Sequence, residues 1–355
     1  MPNQTALRRL PPEPEMHRAF AERDASYDGL FFTGVKTTGI FCRPTCTARK
    51  PRPENVEFFR SARDALFDGY RPCKRCRPLE PRGEAPEWLR PLLQESQRDP
   101  TRRIRDRELR ERGLDPGRVR RWFQRHHGMT FQAYQRARRL GSALDHLRKG
   151  RDVTTTAFAH DFDSLSGFNT AFARFAGSAP STARGTATVR VTRLLTPLGP
   201  MVAAATEDAL VLLEFTDRRM LETQLARLGR KLGGVMAPGS NAVLEQLEAE
   251  LAEYFAGART EFTVPLALHG TPFQEAIWRA LLAIPCGETR SYAEQAEAIG
   301  RPTAVRAVAR ANGDNRIAIV VPCHRVIGSD GTLTGYGGGL PRKRFLLDLE
   351  RNGAE

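Results

Sequence analysis

The sequence lacks the features of membrane, exported and disulfide-rich proteins. No apolar run approaches the roughly 18 residues of a spanning helix, and no apolar core follows Met1. Only six of the 355 residues are cysteine, too few for a disulfide scaffold. We therefore expect a cytoplasmic protein with no membrane partner.

Acidic residues do not balance basic ones in the first half of the chain. Residues 1–186 contain 36 Lys+Arg against 22 Asp+Glu, whereas residues 187–355 contain 19 of each, so the whole net charge of +14 lies in the first half. An asymmetry of this kind indicates a partner that carries phosphates. Nucleic acid is the simplest such partner, although a membrane surface would also attract the basic half.

Composition and hydrophobic patterning divide the chain into five segments. The predicted segments are a flexible lead-in at 1–14, a small Arg-, Pro- and Gly-rich unit at 15–83, a basic helical region at 84–185, a unit that opens with a β-meander at 186–268, and a mainly helical unit at 269–355. The small unit has two short predicted strands and one helix capped by Ser61. So little apolar core suggests that a metal ion stabilises it.

Four of the six cysteines form two close pairs. Cys42 and Cys46 form the first, Cys73 and Cys76 the second, and 26 residues lie between them. Two tight turns that each supply two thiolates are typical of a four-cysteine zinc site. Spacing alone favours a structural ion that holds a small basic module together. The alternative is a reactive centre, because thiolates on zinc stay electron-rich. Seven basic residues surround the pairs: Arg43, Arg49, Lys50, Arg71, Lys74, Arg75 and Arg77.

The segments GIFCRPTC (39–46), ENVEFF (54–59) and GYRPCKRC (69–76) resemble the N-terminal zinc domain of the bacterial Ada family. The resemblance implies that Cys42 accepts a methyl group from a methyl phosphotriester in DNA and that the other three cysteines complete the zinc site. Methylation would remove one negative charge, so it should tighten DNA binding. Among the neighbouring basic residues, we predict that Arg43, Arg71 and Lys74 contact DNA.

The basic helical region contains two predicted helix pairs. Asp115 and Pro116 begin a helix with one apolar face and many arginines, of which we predict that Arg118 and Arg121 contact DNA. A second pair occupies 153–175. Two short helices around a tight turn suit a helix-turn-helix, although a basic helical bundle would give the same pattern. The region resembles the AraC-type double helix-turn-helix, from whose second half this chain departs at Asp-Phe-Asp-Ser and Ala-Gly-Ser-Ala-Pro.

Another cysteine follows an apolar run near the C terminus. The segment IAIVVPCHRV (317–326) predicts a strand that ends in a Pro-Cys-His corner, with the Cys323 thiol at the floor of a pocket. A lone cysteine in such a place is usually buried and inert. His324 offers a base, and a carboxylate elsewhere could orient it. Because the two residues are adjacent, a bridging water suits the geometry better than a direct side-chain contact.

Residues 189–351 resemble the O6-alkylguanine-DNA alkyltransferases, most tightly over 271–350. The resemblance rests on FQ-x3-W at 273–278, IPCGE at 284–288, Ser-Tyr at 291–292, Arg-Ala-Val at 306–308 and GYGGG at 335–339. It implies that Cys323 accepts the alkyl group, that His324 deprotonates the Cys323 thiol through a water and that Glu350 orients His324. It also implies that Tyr292 donates a proton to the leaving base and that Asn315 supports the turn before Cys323. Arg306 would intercalate where the damaged nucleotide is flipped out. We interpret Cys286 as structural.

Together the resemblances imply a multidomain α+β fold. They imply a small zinc-bound α/β domain, an all-α AraC-type double helix-turn-helix, a ribonuclease H-like α/β domain and a helical winged-helix-type alkyltransferase domain. The expected protein is a single-turnover methyltransferase that repairs O6-methylguanine and O4-methylthymine at Cys323 and methyl phosphotriesters at Cys42. Zinc is its only expected cofactor.

Methylation of Cys42 would switch on binding to promoter DNA and transcription. The expected partners are double-stranded DNA with alkyl damage, promoter DNA and RNA polymerase, in the cytoplasm and on the nucleoid of a bacterium. The sequence leaves two alternative functions open. One is a zinc-dependent transcription factor with a non-catalytic, damage-sensing C-terminal half, and the other is a hydrolytic thiol enzyme that uses Cys323 and His324.

Overall fold

The computed structural model describes residues 10–79, 85–183, 186–218 and 220–353. Most of the predicted lead-in, residues 1–9, lies outside the described residues. The helices are α1 (Glu13–Glu22), α2 (Ala62–Phe67), α3 (Arg90–Arg98), α4 (Asp106–Glu111), α5 (Pro116–His127), α6 (Phe131–Arg148), α7 (Val153–Ala159), α8 (Leu165–Ala176), α9 (Leu221–Leu232), α10 (Ala242–Phe255), α11 (Pro272–Leu282), α12 (Tyr292–Ala298), α13 (Val305–Gly313) and α14 (Leu340–Gly353). The strands are β1 (Phe32–Val35), β2 (Ile40–Cys42), β3 (Val56–Phe59), β4 (Arg71–Pro72), β5 (Thr188–Thr196), β6 (Gly199–Ala205), β7 (Leu210–Phe215), β8 (Val235–Pro238), β9 (Arg290–Ser291) and β10 (Val326–Ile327).

The N-terminal unit is built on a four-stranded sheet in the order β3-β1-β2-β4. Strand β1 is antiparallel to β2 and β3, whereas β4 runs parallel to β2. Glycine is required at Gly34, because a Cβ there would lie 2.6 Å from the Phe59 ring. Ser61 accepts a hydrogen bond from the backbone N–H of Asp64 and so caps α2, as the sequence predicted. The apolar core is split between two small clusters, around Phe31 and around Phe41.

The middle of the chain is helical, and its helices begin at polar caps. The side chains of Asp115, Thr130, Asp152 and Ser164 each accept a backbone hydrogen bond at the start of α5, α6, α7 and α8. The pairs α4–α5 and α7–α8 flank the long helix α6, and each pair has its own apolar cluster. Helix α6 also packs against β8, where a Cβ at Gly141 would lie 2.5 Å from that of Ala237.

The C-terminal half has one sheet and one group of helices. The sheet has the order β7-β6-β5-β8, with the predicted meander β5-β6-β7 antiparallel and β8 parallel to β5. Helices α11 to α14 follow, and a single apolar cluster joins them to the sheet and to α10. This shared core fixes the ends of α13 and α14 beside the segment that carries Cys323. No helix in the described ranges is both long and apolar enough to cross a membrane.

One predicted strand is wrong. The apolar run from Ile317 to Val321 forms consecutive turns, and its only strand-like contact with the described part of the chain is an isolated bridge from Ile317 to Leu213. Ile319 has a positive φ of 72°, which strand geometry does not allow. The segment is buried on all sides within the shared core, so its apolar character reports burial rather than strand periodicity.

Candidate functional sites

Parallel pairing of β2 with β4 brings the two cysteine pairs together. The backbone N–H of Cys73 donates to the carbonyl of Phe41 at 3.0 Å, which sets the second pair beside the first. The four thiol sulfurs of Cys42, Cys46, Cys73 and Cys76 all lie within 4.8 Å of one another, and the sulfurs of Cys46 and Cys73 are 4.0 Å apart. Two sulfurs bound at about 2.3 Å to one tetrahedral zinc ion lie roughly 3.8 Å apart. The donor set and its spacing therefore fit zinc.

The cysteines differ in exposure, but exposure does not single out the predicted acceptor. Cys42 is 5% exposed, Cys46 2% and Cys73 9%, whereas Cys76 is partly exposed. The backbone N–H of Arg43 donates to the sulfur of Cys76 at 3.4 Å. A donor aimed at a sulfur stabilises its thiolate form.

The three basic residues predicted to contact DNA near the cysteines lie in different environments. Arg71 and Lys74 are exposed. The Arg43 guanidinium turns inward, where it pairs with Asp28 at 3.4 Å and donates to the carbonyl of Pro78 at 3.3 Å. Arg71 and Lys74 are thus open to a phosphate backbone, whereas Arg43 would have to leave its present partners to reach one.

Helix α5 presents the predicted arginines of the middle region to solvent. Arg118 and Arg121 are both exposed, while Val119 and Phe123 on the opposite face are buried. The Arg118 guanidinium lies 4.2 Å from the Trp88 ring centre, and Arg121 is 3.7 Å from Asp115. The amphipathic helix therefore has the basic outer face that a groove of DNA requires.

Cys323 lies in a single 3-10 turn that follows Pro322, and its side chain is buried. The Asn315 amide nitrogen donates to the Val321 carbonyl at 2.8 Å and contacts the Cys323 sulfur at 3.2 Å. Burial raises the pKa of the Cys323 thiol, while the Asn315 amide and the charges of Arg218 and Lys343 oppose that rise. The turn thus presents a thiol whose ionisation depends on its neighbours.

His324 is fully buried and held by a carboxylate. Its Nε2 lies 2.8 Å from Glu350, which also accepts hydrogen bonds from Arg325 at 2.9 Å and from the Tyr254 hydroxyl at 2.7 Å. Burial lowers the pKa of His324, and Glu350 partly offsets this effect. Burial alone would raise the pKa of Glu350, but His324 and Arg325 outweigh it and hold that pKa well below its ordinary value.

The second ring nitrogen of His324, Nδ1, is buried and has no hydrogen-bond partner among the described residues. With Nε2 donating to the ionised Glu350, Nδ1 is the acceptor in the neutral ring. A buried acceptor without a partner is costly, so it marks a place for a water or a reacting group. His324 therefore offers a base that the protein itself leaves free.

Side chains of Tyr292 and Lys343 hold the segment from Thr334 to Gly339, which we name the wall loop. The Tyr292 hydroxyl donates to the carbonyls of Thr334 at 3.3 Å and of Gly335 at 3.4 Å. The Lys343 ammonium is buried and donates to the carbonyls of Val326 at 2.6 Å and Thr334 at 2.7 Å. Burial lowers the pKa of Lys343 to about 8 and raises the pKa of Tyr292. The start of the loop is thus fixed by two ionisable side chains, those of Tyr292 and Lys343.

Helix α13 follows α12 and carries Arg306 on its outer face. Ser291 and Glu294 form a capping box at the start of α12, which fixes where that helix begins. Val308 and Ala311 bury the inner face of α13 in the shared core, and Arg306 is exposed. A helix pair with an exposed arginine at the start of its second helix is suited to a DNA groove.

Family comparisons cover almost the whole chain. Residues 15–79 match the metal binding domain of Ada and residues 109–186 a helix-turn-helix domain. Residues 189–268 match the ribonuclease-like domain of 6-O-methylguanine DNA methyltransferase, and residues 272–352 match its DNA binding domain. The bifunctional transcriptional activator/DNA repair enzyme Ada of Escherichia coli is 36% identical over 341 residues, which is 94% of this chain and 95% of that protein.

The chain belongs to the Ada family. Its four matched regions follow one another in the order that the sequence predicted, and the fold class is confirmed. The methylated-DNA–protein-cysteine methyltransferase of Mycobacterium tuberculosis is 51% identical over 44% of this chain and 90% of its own length. The crystal structure of Mycobacterium tuberculosis OGT in complex with DNA covers 47% of this chain and 94% of its own, with 44% identity and a TM-score of 0.40.

Sequence reasoning missed four side chains that touch or support the Cys323 site of this Ada-family chain. Tyr254 and Arg325 complete the hydrogen bonds to Glu350, while Lys343 and Arg218 hold backbone carbonyls around Cys323. Arg325 had a local signal, since it follows Cys-His directly. The other three stand in ordinary helical or loop sequence, where a tyrosine or a basic residue predicts an exposed position.

Proposed function

We propose that this Ada-family protein repairs alkylated DNA by irreversible methyl transfer to Cys323 and to Cys42, and that methylation of Cys42 turns on transcription. The observation that carries the Cys323 assignment is the buried His324, the next residue in the chain, which donates to Glu350 and has no partner for Nδ1 among the described residues. This is the nucleophile, base and orienting-group arrangement of thiol chemistry.

At Cys323 the reaction is a displacement at the methyl carbon of O6-methylguanine, and less strongly of O4-methylthymine. His324 takes the thiol proton through a water, Glu350 holds the His324 ring, and the Asn315 amide supports the turn and the sulfur. The new S–C bond forms as the O–CH3 bond breaks, and Tyr292 donates a proton to the base as it leaves. A thioether is stable, so each chain reacts once.

The base must leave the helix to reach a buried thiol. We propose that Arg306 enters the duplex where the damaged nucleotide is flipped out, because it is exposed at the start of a helix with a buried inner face. The base pocket would be walled by Pro265 to Thr271 and by Tyr336 to Gly339.

The four-cysteine centre takes a methyl group from a methyl phosphotriester, with Cys42 as the acceptor. The new S–C bond forms as the O–CH3 bond breaks, and the phosphate leaves as the ordinary phosphodiester anion. The thiolates of Cys42, Cys46, Cys73 and Cys76 would hold a zinc ion, which would keep them deprotonated and nucleophilic. Methylation turns the Cys42 thiolate into a thioether and removes one negative charge from a surface that faces DNA phosphates. The exposed Arg71 and Lys74 would hold those phosphates, joined by Arg43 once it leaves Asp28.

We propose that methylated protein binds promoter DNA through α5 and α8, with Arg118 and Arg121 as contacts, and recruits RNA polymerase on the nucleoid. The family matches support the division into functional units at 15–83, 84–185, 186–268 and 269–355. The basic surplus in the first half of the chain supports a DNA partner for that half.

The test is mass spectrometry of intact protein and peptides after mixing the zinc-loaded chain with methylated DNA. The expected result is two added methyl groups, one on Cys42 and one on Cys323. Methyl on Cys323 alone would leave a repair protein with a structural zinc module. No methyl on either cysteine would support a transcription factor that only senses damage, and repeated turnover independent of DNA would indicate a hydrolytic thiol enzyme.

A further inference from the structure

We propose that Arg218 is a positioning residue for methyl transfer to Cys323. It lies in the ribonuclease-like region, which supplies none of the groups assigned above to the reaction, and it holds the Asn315 backbone so that the Asn315 amide meets the thiol. The proposal rests on the proposed function and adds a residue to it.

The Arg218 guanidinium is buried between two regions of the chain. It follows β7, its side chain is 8% exposed, and it forms an ion pair with the fully buried Glu214. One guanidinium nitrogen also donates to the Asn315 carbonyl at 3.1 Å, and the other donates to the carbonyl of Gly313, the last residue of α13. The Arg218 guanidinium therefore binds a carboxylate of the ribonuclease-like region and two backbone carbonyls of the region that carries Cys323.

The wall loop lies directly on the same guanidinium. A Cβ at Gly337 would lie 2.6 Å from Arg218 Cζ, so a side chain at this position would displace the guanidinium. The end of α13, the Asn315 turn and the wall loop thus all contact Arg218. Only arginine presents several N–H donors in a rigid planar fork, so lysine can replace its charge but not its geometry.

Asn315 links these contacts to the nucleophile. Its carbonyl is held by Arg218, while its side-chain amide lies 3.2 Å from the Cys323 sulfur and 2.8 Å from the Val321 carbonyl. A contact at 3.2 Å is lost as a hydrogen bond when the donor moves by about 1 Å. The position of the Asn315 backbone therefore decides whether the amide supports the thiolate.

Arg218 also places positive charge near the thiol. Burial lowers the pKa of Arg218, and the Cys323 charge opposes that fall, so the two groups favour each other's ionised forms. The ionisable groups around Cys323 are Arg218, Tyr292, His324, Tyr336 and Lys343, with Arg325 and Glu350 behind His324. Loss of Arg218 should move the pH at which Cys323 becomes reactive to a higher value.

The experiment compares Arg218→Met and Arg218→Lys in the zinc-loaded full chain, with Arg259→Met as the control. Arg259 also pairs with carboxylates of the ribonuclease-like region, Glu250 and Glu253, but it contacts none of the residues around Cys323. Each variant is measured for single-turnover methyl transfer from duplex DNA with O6-methylguanine, for the pH profile of that rate, for the Kd of unmodified duplex and for the thermal midpoint.

We expect Arg218→Met to slow methyl transfer about tenfold or more, the effect of losing a charge-assisted hydrogen bond, with the rate profile moved to higher pH and the Kd nearly unchanged. Arg218→Lys should keep the pH profile near that of the native chain with an intermediate rate. The control should transfer methyl at the native rate. A native pH profile and rate in Arg218→Met overturn the proposal.

The proposal is also overturned if Arg218→Met slows methyl transfer only as much as its lowered thermal midpoint explains. Such a result is expected if the ion pair between Arg218 and Glu214 only stabilises the fold. If Arg218→Met does not fold, Arg218→Lys decides: a native rate contradicts the proposal, and a slower rate at native pH dependence supports it. If the native chain itself transfers no methyl to Cys323, the proposed function has failed rather than the role of Arg218.

Discussion

Glu350→Gln removes one negative charge behind His324 while it keeps the shape of the side chain. Glu350 is 2% exposed and accepts hydrogen bonds from His324, Arg325 and Tyr254. Glutamine offers one acceptor oxygen and an NH2 group. The NH2 group would therefore face at least one of the N–H or O–H groups that now donate to Glu350. The substitution also leaves the Arg325 guanidinium buried without a countercharge.

Removal of one partner from a buried ion pair costs about 3–5 kcal/mol of stability. The pH dependence follows from the sign of the pKa shift. The pKa of Glu350 in the folded chain lies below the ordinary value of 4.5, so the carboxylate stabilises the fold above about pH 4.5. That stabilisation is lost as pH falls through the folded-state pKa. In Glu350→Gln it is absent at every pH, so the difference from the native chain narrows in acid.

The rate of methyl transfer should fall further than stability alone explains. A positioned general base contributes typically about 10²–10⁴-fold, and His324 without Glu350 loses its orientation and its fixed tautomer. Glu350 raises the pKa of His324 against the lowering by burial. Removal of Glu350 should therefore lower the pKa of His324 further. In a plot of the remaining rate against pH, the fall of the rate on the acid side (the acid limb) should then occur at lower pH.

The assay is single-turnover methyl transfer from duplex O6-methylguanine between pH 5 and 9 (a range about the ordinary His pKa), well below the thermal midpoint of each variant. Glu250→Gln is the matched control, since Glu250 is 3% exposed and hydrogen bonds to Thr263 and Val264 rather than to the site. Equal rates in the two variants, or an acid limb that does not move, would refute the role given to Glu350.

Three further predictions concern the other site residues. Asn315→Asp should place a negative charge beside Cys323, raise the thiol pKa further and slow methyl transfer at pH 7 at least tenfold, with recovery as the pH is raised; a native rate would contradict this. Cys46→Ala should lose zinc and methyl transfer to Cys42 but keep transfer to Cys323, as native and peptide mass spectrometry would show. Arg306→Ala should keep the thermal midpoint, since an exposed substitution costs within about 0.5 kcal/mol. It should nevertheless lose repair of duplex DNA, while reaction with free O6-methylguanine stays at its native level.

Much of the outline could be predicted from the sequence because its signals are local. The cysteine pairs need only their spacing, and the caps Ser61 and Asp115 need only the turn that follows them. The meander between 189 and 215 needs only its short apolar runs and the breaks between them. The turn at Cys323 shows the limit of such signals. The apolar run before Cys323 is packed by the rest of the chain on all sides, so every residue in it is apolar. Such a run has no hydrophobic periodicity that could distinguish a strand from turns, and the predicted strand was wrong.

By itself the sequence determined the order of the domains, the zinc ligands and the Cys-His pair, since each depends on residues that are close in the chain. Only the tertiary structure decided which distant side chains serve them. Tyr254 lies 96 positions from Glu350, and Arg218 lies 97 positions from Asn315. It also turned Arg43 inward to Asp28. The physical reason is that residue type alone predicts an exposed position for a charged or hydroxyl side chain. Burial of such a side chain is favourable only when packing places a hydrogen-bond or charge partner beside it.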